Sequence, residues 1–391
     1  MTESMTIGLA RMHLEYGERR DFLPSFVSDL ERRGAHVFLE YGYGSGLGFT
    51  EDDYKQVAPG IRFLSHAEIF QQPIVLVLRC PPNDELDLLQ LGTCLISMLH
   101  YPTRPQRVAR LKALGVEAIS LDLLKDETGR RLVENLRAVA WNGLEIGFKV
   151  LHRTFPPPGL ESVERNPIQA TILGVGAVGM HAVQGASRYG DLKLWQTLAK
   201  RGVPGVQVTA VDYDLTGQEE FMKQLLERTD ILVDATQRPE LSQIVIPNEW
   251  VGLMPEHGVL VDLSVDPYDC SVNPVEVKGI EGMPQGNLDQ YVFMPDDTVY
   301  DHMPECVSVK HRRHAVSCYS WPGIRPKQCM ALYGAQIQPI MRAIIRNGGS
   351  VRNINSHGRY FERAIGRALL SNWESEKLAT LASKPEKGNK G

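Results

Sequence analysis

A short apolar strand, a glycine-rich turn and the start of a helix follow one another in residues 169–183 (QATILGVGAVGMHAV). The turn has the pattern G-x-G-x-x-G, which is informative when a strand precedes it and a helix follows it, as here. Gly174 would turn the chain tightly after the strand, Gly176 would leave room for a pyrophosphate, and Gly179 would let helix and strand pack closely. The segment therefore predicts a dinucleotide site in a doubly wound α/β domain, with a chance glycine-rich turn as the alternative.

The second half of this fingerprint is an acidic residue at the end of the next strand. Residues 206–211 (VQVTAV) predict that strand, and Asp212 follows, where it can bind ribose hydroxyls. Tyr213 and Asp214 come next rather than an arginine, so NAD is favoured over NADP. Thr236 lies at the end of a further predicted strand, and loop capping is its alternative role. The predicted cofactor contacts are Gly174, Gly176, Ala177, Val178, Gly179, Asp212 and Thr236.

The composition limits the classes of protein to which the chain can belong. Its 391 residues are enough for two domains, or three. A net charge of −5 argues against a general binder of nucleic-acid backbones, and no apolar run approaches the roughly 20 residues that span a bilayer. The six cysteines have no paired spacing, so neither a disulfide framework nor a metal site is expected. Without a signal-peptide pattern, the expected compartment is the cytoplasm.

Short β-rich runs alternate with amphipathic stretches along the chain, which is typical of α/β proteins. The spacing of apolar residues predicts helices over residues 24–33, 105–114, 122–153 and 327–346. The predicted strands include residues 7–9, 37–39, 74–78, 206–211, 231–236 and 259–265. A polar, lysine- and glycine-rich tail at 384–391 is expected to be disordered.

Several short motifs, taken in order, resemble those of one known family. The motifs are Ile7-Gly8-Leu9 with Glu18-Arg19 and Pro24, residues 37–54 (VFLEYGYGSGLGFTEDDY), Leu99-His100, residues 261–266 (VDLSVD) and Pro322-Gly323 with Pro326. Their order and spacing are similar to those of alanine dehydrogenase and the soluble part of pyridine nucleotide transhydrogenase. The resemblance extends to about residue 349.

This resemblance implies two Rossmann-like doubly wound domains, one inserted into the other. A substrate domain would span residues 1–138 and resume at 322–383, and the dinucleotide-binding domain would span 139–321. The long helices predicted near 122–153 and 327–346 would form the hinge, and substrate would bind between the domains. Members of the family assemble, so a homo-oligomer is expected.

The resemblance also implies roles for four residues. Arg19 would bind the substrate carboxylate, and His100 would be the general acid or base, because imidazoles exchange protons near neutral pH. Asp266 would hold an ammonium group, a water or the imidazole. Arg79 replaces the family's lysine. An arginine can bind a carboxylate, but it stays protonated and cannot transfer a proton as a lysine can. The predicted catalytic residues are thus His100, Asp266 and Arg79, and the predicted substrate contacts are Arg19 and Arg79. The structural alternatives are a surface salt bridge for each arginine, a core position for His100 and a helix cap for Asp266.

These observations favour an NAD(H)-dependent oxidoreductase that acts on the C–N bond of an amino or imino acid. Arg19 and Arg79 together suit a substrate with two carboxylates, and Tyr268 and Trp321 beside the predicted site argue against plain alanine. A saccharopine- or opine-type coupling of an amino acid with a keto acid is one alternative. A regulatory protein that binds NAD without catalysis is another, suggested by Arg79, and the soluble component of a transhydrogenase is a third.

Overall fold

The computed structural model describes residues 5–13 and 17–375, so the tail expected to be disordered lies outside the described residues. Among the described residues, no helix is long and apolar enough to cross a membrane. The strands are β1 (Thr6–Leu9), β2 (His36–Glu40), β3 (Arg62–Leu64), β4 (Ile74–Arg79), β5 (Cys94–Met98), β6 (Glu117–Ser120), β7 (Ile168–Leu173), β8 (Val206–Val211), β9 (Ile231–Asp234), β10 (Val259–Asp262), β11 (Val292–Phe293) and β12 (His314–Ser317).

The α-helices lie between these strands and after the last of them. They are α1 (Pro24–Arg32), α2 (Glu51–Val57), α3 (His66–Phe70), α4 (Asn83–Leu86), α5 (Pro105–Ala113), α6 (Leu136–Thr154), α7 (Ala177–Ala186), α8 (Leu192–Lys200), α9 (Tyr213–Thr216), α10 (Glu219–Leu226), α11 (Asn248–Val251), α12 (Pro326–Arg346) and α13 (Tyr360–Ala368).

The chain divides into two compact units: unit 1 (Met1–Glu134 and Arg325–Gly391) and unit 2 (Asn135–Ile324). The sheet of unit 1 has the strand order β3-β2-β1-β4-β5-β6, and all its neighbours are parallel. The sheet of unit 2 has the order β11-β12-β10-β9-β7-β8, and only β11 is antiparallel. In each sheet the strand order reverses beside the first strand, as in doubly wound folds. The predicted fold class is confirmed.

The central strand β4 of unit 1 is buried on both faces. Ile74, Leu76 and Leu78 pack into a core with side chains of α1 and α12, whereas Val75 and Val77 pack into a second core with side chains of α3 and α5. Alternate side chains of a strand point to opposite faces, so an uninterrupted apolar run fits a parallel sheet covered on both sides. Each such side chain contributes about 1.5–3 kcal/mol when it is fully buried.

The helix predicted over residues 122–153 begins only at Leu136, so its first part is wrong. The Asp126 carboxylate accepts hydrogen bonds from the amides of Thr128 and Arg130 and from the Thr128 hydroxyl. Gly129 then adopts a positive φ of 85°. These local bonds compete with helix formation, and the apolar periodicity alone does not reveal them.

Cys270 and Cys306 form a disulfide, with their Cα atoms 6.1 Å apart. The expectation that the cysteines form no disulfide is therefore wrong for this pair. Both residues lie in loops of unit 2, and their separation of 36 positions shows no spacing motif. Their pairing depends on how two distant loops meet, which sequence spacing does not show. The other cysteines, Cys80, Cys94, Cys318 and Cys329, are buried thiols.

Strand β10 ends at Asp262, three residues earlier than predicted. The Asp262 carboxylate accepts hydrogen bonds from the amides of Ser264 and Val265, and these bonds turn the chain out of the sheet. It also accepts bonds from Lys278 Nζ at 2.6 Å and from the Ser317 hydroxyl at 2.9 Å. Burial alone would raise the pKa of Asp262, but the charge and hydrogen bond of Lys278 lower it. The pair therefore anchors the loop that follows β10.

Replacing Lys278 with methionine should lower the free energy of unfolding by about 3 kcal/mol, because a buried carboxylate loses its counter-charge. Both side chains of the pair are at most 2% exposed. The change would be measured by urea unfolding. Lys223→Met, which removes an exposed pair with Glu219 on α10, is the control and should give no resolvable change. Equal effects of the two substitutions would contradict this account of the buried pair.

Candidate functional site

Polar side chains collect at the carboxyl edge of the unit 1 sheet, where the parallel strands end. Open α/β sheets bind their ligands at this edge. The residues are Arg11 and His13 after β1, Glu40 at the end of β2, His66 after β3, Arg79 at the end of β4, His100 after β5 and Asp122 after β6. Arg79 is paired in register with Met98, so His100 follows closely on the neighbouring strand.

A small pocket of about 10 Å³, roughly the space that one water needs, lies at this edge. Its lining includes Arg11, His13, Glu18, Arg79, Cys80 and Glu85. The Glu18 carboxylate forms an ion pair with Arg20 and lies 3.8 Å from Nη1 of Arg79. Burial raises the pKa of the Cys80 thiol to about 11, so this thiol stays protonated near neutral pH. The lining of the pocket thus contains two arginines, Arg11 and Arg79, and two glutamates, Glu18 and Glu85.

Of the predicted substrate contacts, Arg79 lines this pocket, whereas Arg19 is not among its lining residues. The Nε of Arg19 donates to the carbonyl of Gly17 at 3.0 Å. The Arg19 Cβ would lie 2.6 Å from a Cβ added to Gly46. The glycine-rich stretch around Gly46 therefore packs tightly against the segment that contains Arg19. Binding of a carboxylate by Arg19 stays a prediction. Sequence reasoning missed Arg11, although its position just beyond β1 was a usable signal.

His100 is paired with a carboxylate that sequence reasoning also missed. Its Nδ1 lies 3.4 Å from Oδ2 of Asp122, and its amide donates to Oδ1 at 3.1 Å. Ser120 donates to the same Oδ1 at 2.8 Å. Burial alone would raise the pKa of Asp122, but the hydrogen bonds and charge of His100 and the Ser120 hydroxyl keep it well below its usual range. Asp122 is therefore ionised near neutral pH and orients the imidazole through Nδ1.

The other imidazole nitrogen of His100 is left for a ligand. The side chain is about half exposed, and Nε2 makes no hydrogen bond within residues 5–13 and 17–375. His100 also has a positive φ of 51°, which is uncommon for a residue other than glycine. Asp122 was predicted to begin a helix, and its position two residues beyond β6 was the only signal of its role as a partner.

The glycine turn of unit 2 has the geometry that dinucleotide binding requires. Gly174 has a φ of 87°, and a Cβ there would lie 2.8 Å from the carbonyl oxygen of Ala235. A Cβ on Gly179 would lie 1.9 Å from the carbonyl oxygen of Gly174. Gly176, in contrast, has no atom within 4 Å of such a Cβ. The turn is tight at its first and third glycines and open at the second, next to the first amides of α7.

Asp212 lies directly beyond β8, beside this turn. Val211 is paired in register with Leu173, and the Gly174 amide donates to the Val211 carbonyl at 2.8 Å. The Asp212 side chain does not cap α9. Its carboxylate has no hydrogen-bond or ion-pair partner in the part of the chain that the structure describes. It is therefore available to a ligand held at the glycine turn.

Thr236 lies close to Gly174 but is already bonded. Its amide and hydroxyl both donate to Oδ1 of Asp234, at 2.9 and 2.7 Å. Burial and the neighbouring Asp262 carboxylate raise the pKa of Asp234 to about 6, against the hydrogen bonds from Thr236. This is the loop-capping arrangement considered as the alternative, and contact of Thr236 with the cofactor stays a prediction.

Asp266 lies in the loop after β10 and forms an ion pair with the buried Arg238, with Nη2 and Oδ2 2.7 Å apart. Its predicted role toward substrate or imidazole stays a prediction.

Trp321 is fully buried in the core of unit 2, and its Nε1 donates to the Asp262 carbonyl. The Tyr268 hydroxyl donates to the Met283 carbonyl. Trp321 is therefore a core residue of unit 2, and the argument against alanine as the substrate stays a prediction.

Comparisons with known proteins agree on one family. The model for the N-terminal domain of alanine dehydrogenase/PNT matches residues 14–140. Alanine dehydrogenase of Bacillus subtilis (strain 168) is 25% identical over 280 residues, which are 67% of this chain and 71% of that protein. The chain is therefore similar to this family over the residues matched.

Similarity at low identity extends to transhydrogenases as well as to alanine dehydrogenases. NAD(P) transhydrogenase subunit alpha of Haemophilus influenzae is 19% identical over 388 residues, which are 96% of this chain and 72% of that protein. A solved L-alanine dehydrogenase has a TM-score of 0.67 at 19% identity, covering 93% of this chain and 94% of its own. A transhydrogenase from Sinorhizobium meliloti has a TM-score of 0.59 at 15% identity, covering 87% and 94%. The family resemblance of the sequence is confirmed, and the fold is shared.

Proposed function

We propose that this chain is an NAD-dependent oxidoreductase that acts on the C–N bond of a small amino or imino acid. The observation that carries the proposal is the glycine turn of unit 2, which is open at Gly176 and lies beside the unpaired carboxylate of Asp212. The relatives named alanine dehydrogenase support the reaction type. In this account unit 2 binds the dinucleotide and unit 1 binds the substrate.

The residues of unit 2 fit a nicotinamide dinucleotide. The pyrophosphate would be bound at the open space of Gly176 by the amides of Ala177, Val178 and Gly179, which have no partners within the helix because they lie in the first turn of α7. Asp212 would bind the adenosine ribose hydroxyls. A bound nicotinamide supplies the hydride acceptor or donor of the reaction.

The residues of unit 1 would bind and protonate the substrate. Arg79 and Arg11 line the pocket and would bind a carboxylate by charge-assisted hydrogen bonds. His100 would take or give a proton at the amino or imino nitrogen through Nε2, while Asp122 holds Nδ1. Because arginine stays protonated, Arg79 would position the substrate and leave the proton transfer to His100.

Arg79 also favours one competing function. Since the family's lysine is an arginine here, the chain would bind NAD without turning over any substrate if that lysine were indispensable. The two functions differ in one measurable result. The proposed enzyme oxidises NADH when a keto acid is present with ammonia or an amino acid, whereas the regulatory protein binds NADH and oxidises none.

A test of this proposal is a screen with NADH as the reductant. Keto acids with one and with two carboxylates would be offered with ammonia and, separately, with amino acids, and absorbance would follow NADH. Turnover with ammonia supports the dehydrogenase, and turnover only with an amino acid supports the opine-type alternative. Equal efficiency with one and two carboxylates would contradict the suggestion of a dicarboxylic substrate, which rests on Arg19 and Arg79.

Asp212→Ala should weaken NADH binding about tenfold, because one charge-assisted pair of hydrogen bonds to the ribose is lost. NADPH binding should change little or improve, since the carboxylate would repel a 2′-phosphate. Asp214→Ala removes a nearby exposed carboxylate and is the control. Dissociation constants from fluorescence titration of both nucleotides provide the measurement. A wild-type preference for NADPH, or equal effects of the two substitutions, would contradict the assignment of Asp212.

A further inference from the structure

Three potential metal ligands meet at the carboxyl edge of the unit 1 sheet. Nε2 of His13 lies 2.7 Å from Oε1 of Glu40, and Nδ1 of His66 lies 3.0 Å from Oε2 of the same carboxylate. One ligand atom from each residue lies within 4.8 Å of the other two. The residues come from the ends of three adjacent strands, β1, β2 and β3. None of them has a role in the proposed reaction.

We propose that His13, Glu40 and His66 bind a divalent transition-metal ion of the zinc class. Two imidazoles and one carboxylate are ligands that such ions prefer. Ligand atoms about 2.1 Å from a shared ion lie roughly 3–4 Å from one another, so small side-chain rotations suffice to close the site. In this arrangement each histidine would bind the ion through the ring nitrogen that now faces Glu40 and would carry its proton on the other ring nitrogen.

The surroundings of the cluster also match those of a metal site. Glu40 is 5% exposed, and its Oε2 accepts a hydrogen bond from the Arg11 amide at 2.8 Å, which fixes the carboxylate. Nε2 of His66 lies 3.7 Å from a carboxylate oxygen of Glu85. Histidines that bind a metal through one ring nitrogen commonly direct the other to a carboxylate, which sets the tautomer and strengthens the ligand. Glu85 would serve as this outer partner.

The position of the cluster suggests what the ion would do. His13 and Glu85 also line the pocket that contains Arg11 and Arg79. Three protein ligands leave at least one coordination position, which water or an anionic group can fill. The ion would add positive charge to the wall of this pocket and so favour anionic ligands. This inference does not depend on the proposed reaction, because it concerns binding of the metal alone.

The expectation that the chain has no metal site rested on the spacing of its cysteines. His13 and Glu40 are 27 positions apart, and Glu40 and His66 are 26 apart. These separations match none of the short ligand spacings that identify metal sites in a sequence. The cluster exists because three parallel strands end side by side, which only the sheet order reveals.

The test is a titration of the untagged, chelator-stripped chain with Co²⁺ and Zn²⁺. We expect one ion per chain, visible absorption bands of four- or five-coordinate Co²⁺, and a rise in Tm with Zn²⁺. His13→Gln and His66→Gln should each weaken binding at least about 50-fold, because second-shell changes alone already cost 10–100-fold. His36→Gln, an exposed histidine on β2, is the matched control and should bind as the wild type does.

Two outcomes would overturn the proposal. The first is the absence of one-to-one binding with a dissociation constant below roughly 100 μM. The second is binding that persists in the His13→Gln/His66→Gln double variant, or that is lost instead in Cys80→Ser. Because a histidine variant could fail to fold, the far-ultraviolet circular dichroism of each variant would be compared with that of His36→Gln.

Discussion

Gly176→Ala should abolish high-affinity dinucleotide binding while leaving the fold intact. Gly176 has φ and ψ of −65° and −169°, a conformation that alanine adopts freely, and no atom lies within 4 Å of the added Cβ. The methyl group would instead occupy the space proposed for the pyrophosphate. We expect the dissociation constant of NADH to rise roughly 100-fold, which corresponds to about 2.7 kcal/mol. The Tm without ligand should not change.

Two further glycine variants control this result. Gly205→Ala adds a methyl group that also meets no atom within 4 Å, but it lies before β8, at the amino end of that strand, and should bind NADH normally. Gly179→Ala places a Cβ 1.9 Å from the Gly174 carbonyl oxygen and should reduce both binding and Tm. If Gly176→Ala folded normally and bound NADH as tightly as the wild type, the pyrophosphate would not be bound at this turn.

The second large effect is expected for His100→Asn, which should lower kcat about 10²- to 10⁴-fold, the usual contribution of a general acid or base. Asparagine tolerates the positive φ of 51° at this position and can still donate toward Asp122, but it lacks Nε2. The affinity for NADH should not change, because the proposed nucleotide contacts all lie in unit 2. Steady-state kinetics and NADH titration together provide the measurement.

A second histidine–aspartate pair supplies the control. His257 Nε2 lies 2.7 Å from Oδ1 of Asp230 in unit 2, so His257→Gln removes a comparable contact away from the proposed chemistry. This variant should retain the wild-type kcat. Asp122→Asn should lower kcat less than His100→Asn, because the imidazole remains but loses its orientation. A kcat for His100→Asn within threefold of the wild type would exclude His100 as the acid or base.

Local patterns were sufficient to predict much of the fold. The apolar run of β4 and the glycine turn after β7 were predicted in place, because strand burial and tight turns depend on neighbouring residues. Helix α12 was predicted to within one residue of its observed start for the same reason. The early end of β10 was missed, since it depends on the Asp262 side chain binding the amides of the following loop.

The partners within the candidate site could not be predicted in this way. Asp122 meets His100 because β5 and β6 are neighbours, and Arg238 meets Asp266 across two loops of unit 2. Glu40 lies between His13 and His66 because β2 lies between β1 and β3. In each case the residue was visible in the sequence, but its partner depends on the order of the strands or the meeting of distant loops. Single candidate residues were therefore easier to predict than the partners that pair with them.

Incorporation of ¹⁵N-ammonia into product while NADH is consumed distinguishes the proposed enzyme from a protein that only binds NADH. The wild-type chain would be incubated with NADH, ¹⁵N-ammonia and the keto acid selected by the screen, and the products would be analysed by mass spectrometry. We expect one labelled amino acid for each NADH oxidised, and formation of both products about 10²- to 10⁴-fold more slowly in His100→Asn. Tight NADH binding without oxidation for any keto acid, or oxidation without nitrogen incorporation, would contradict it.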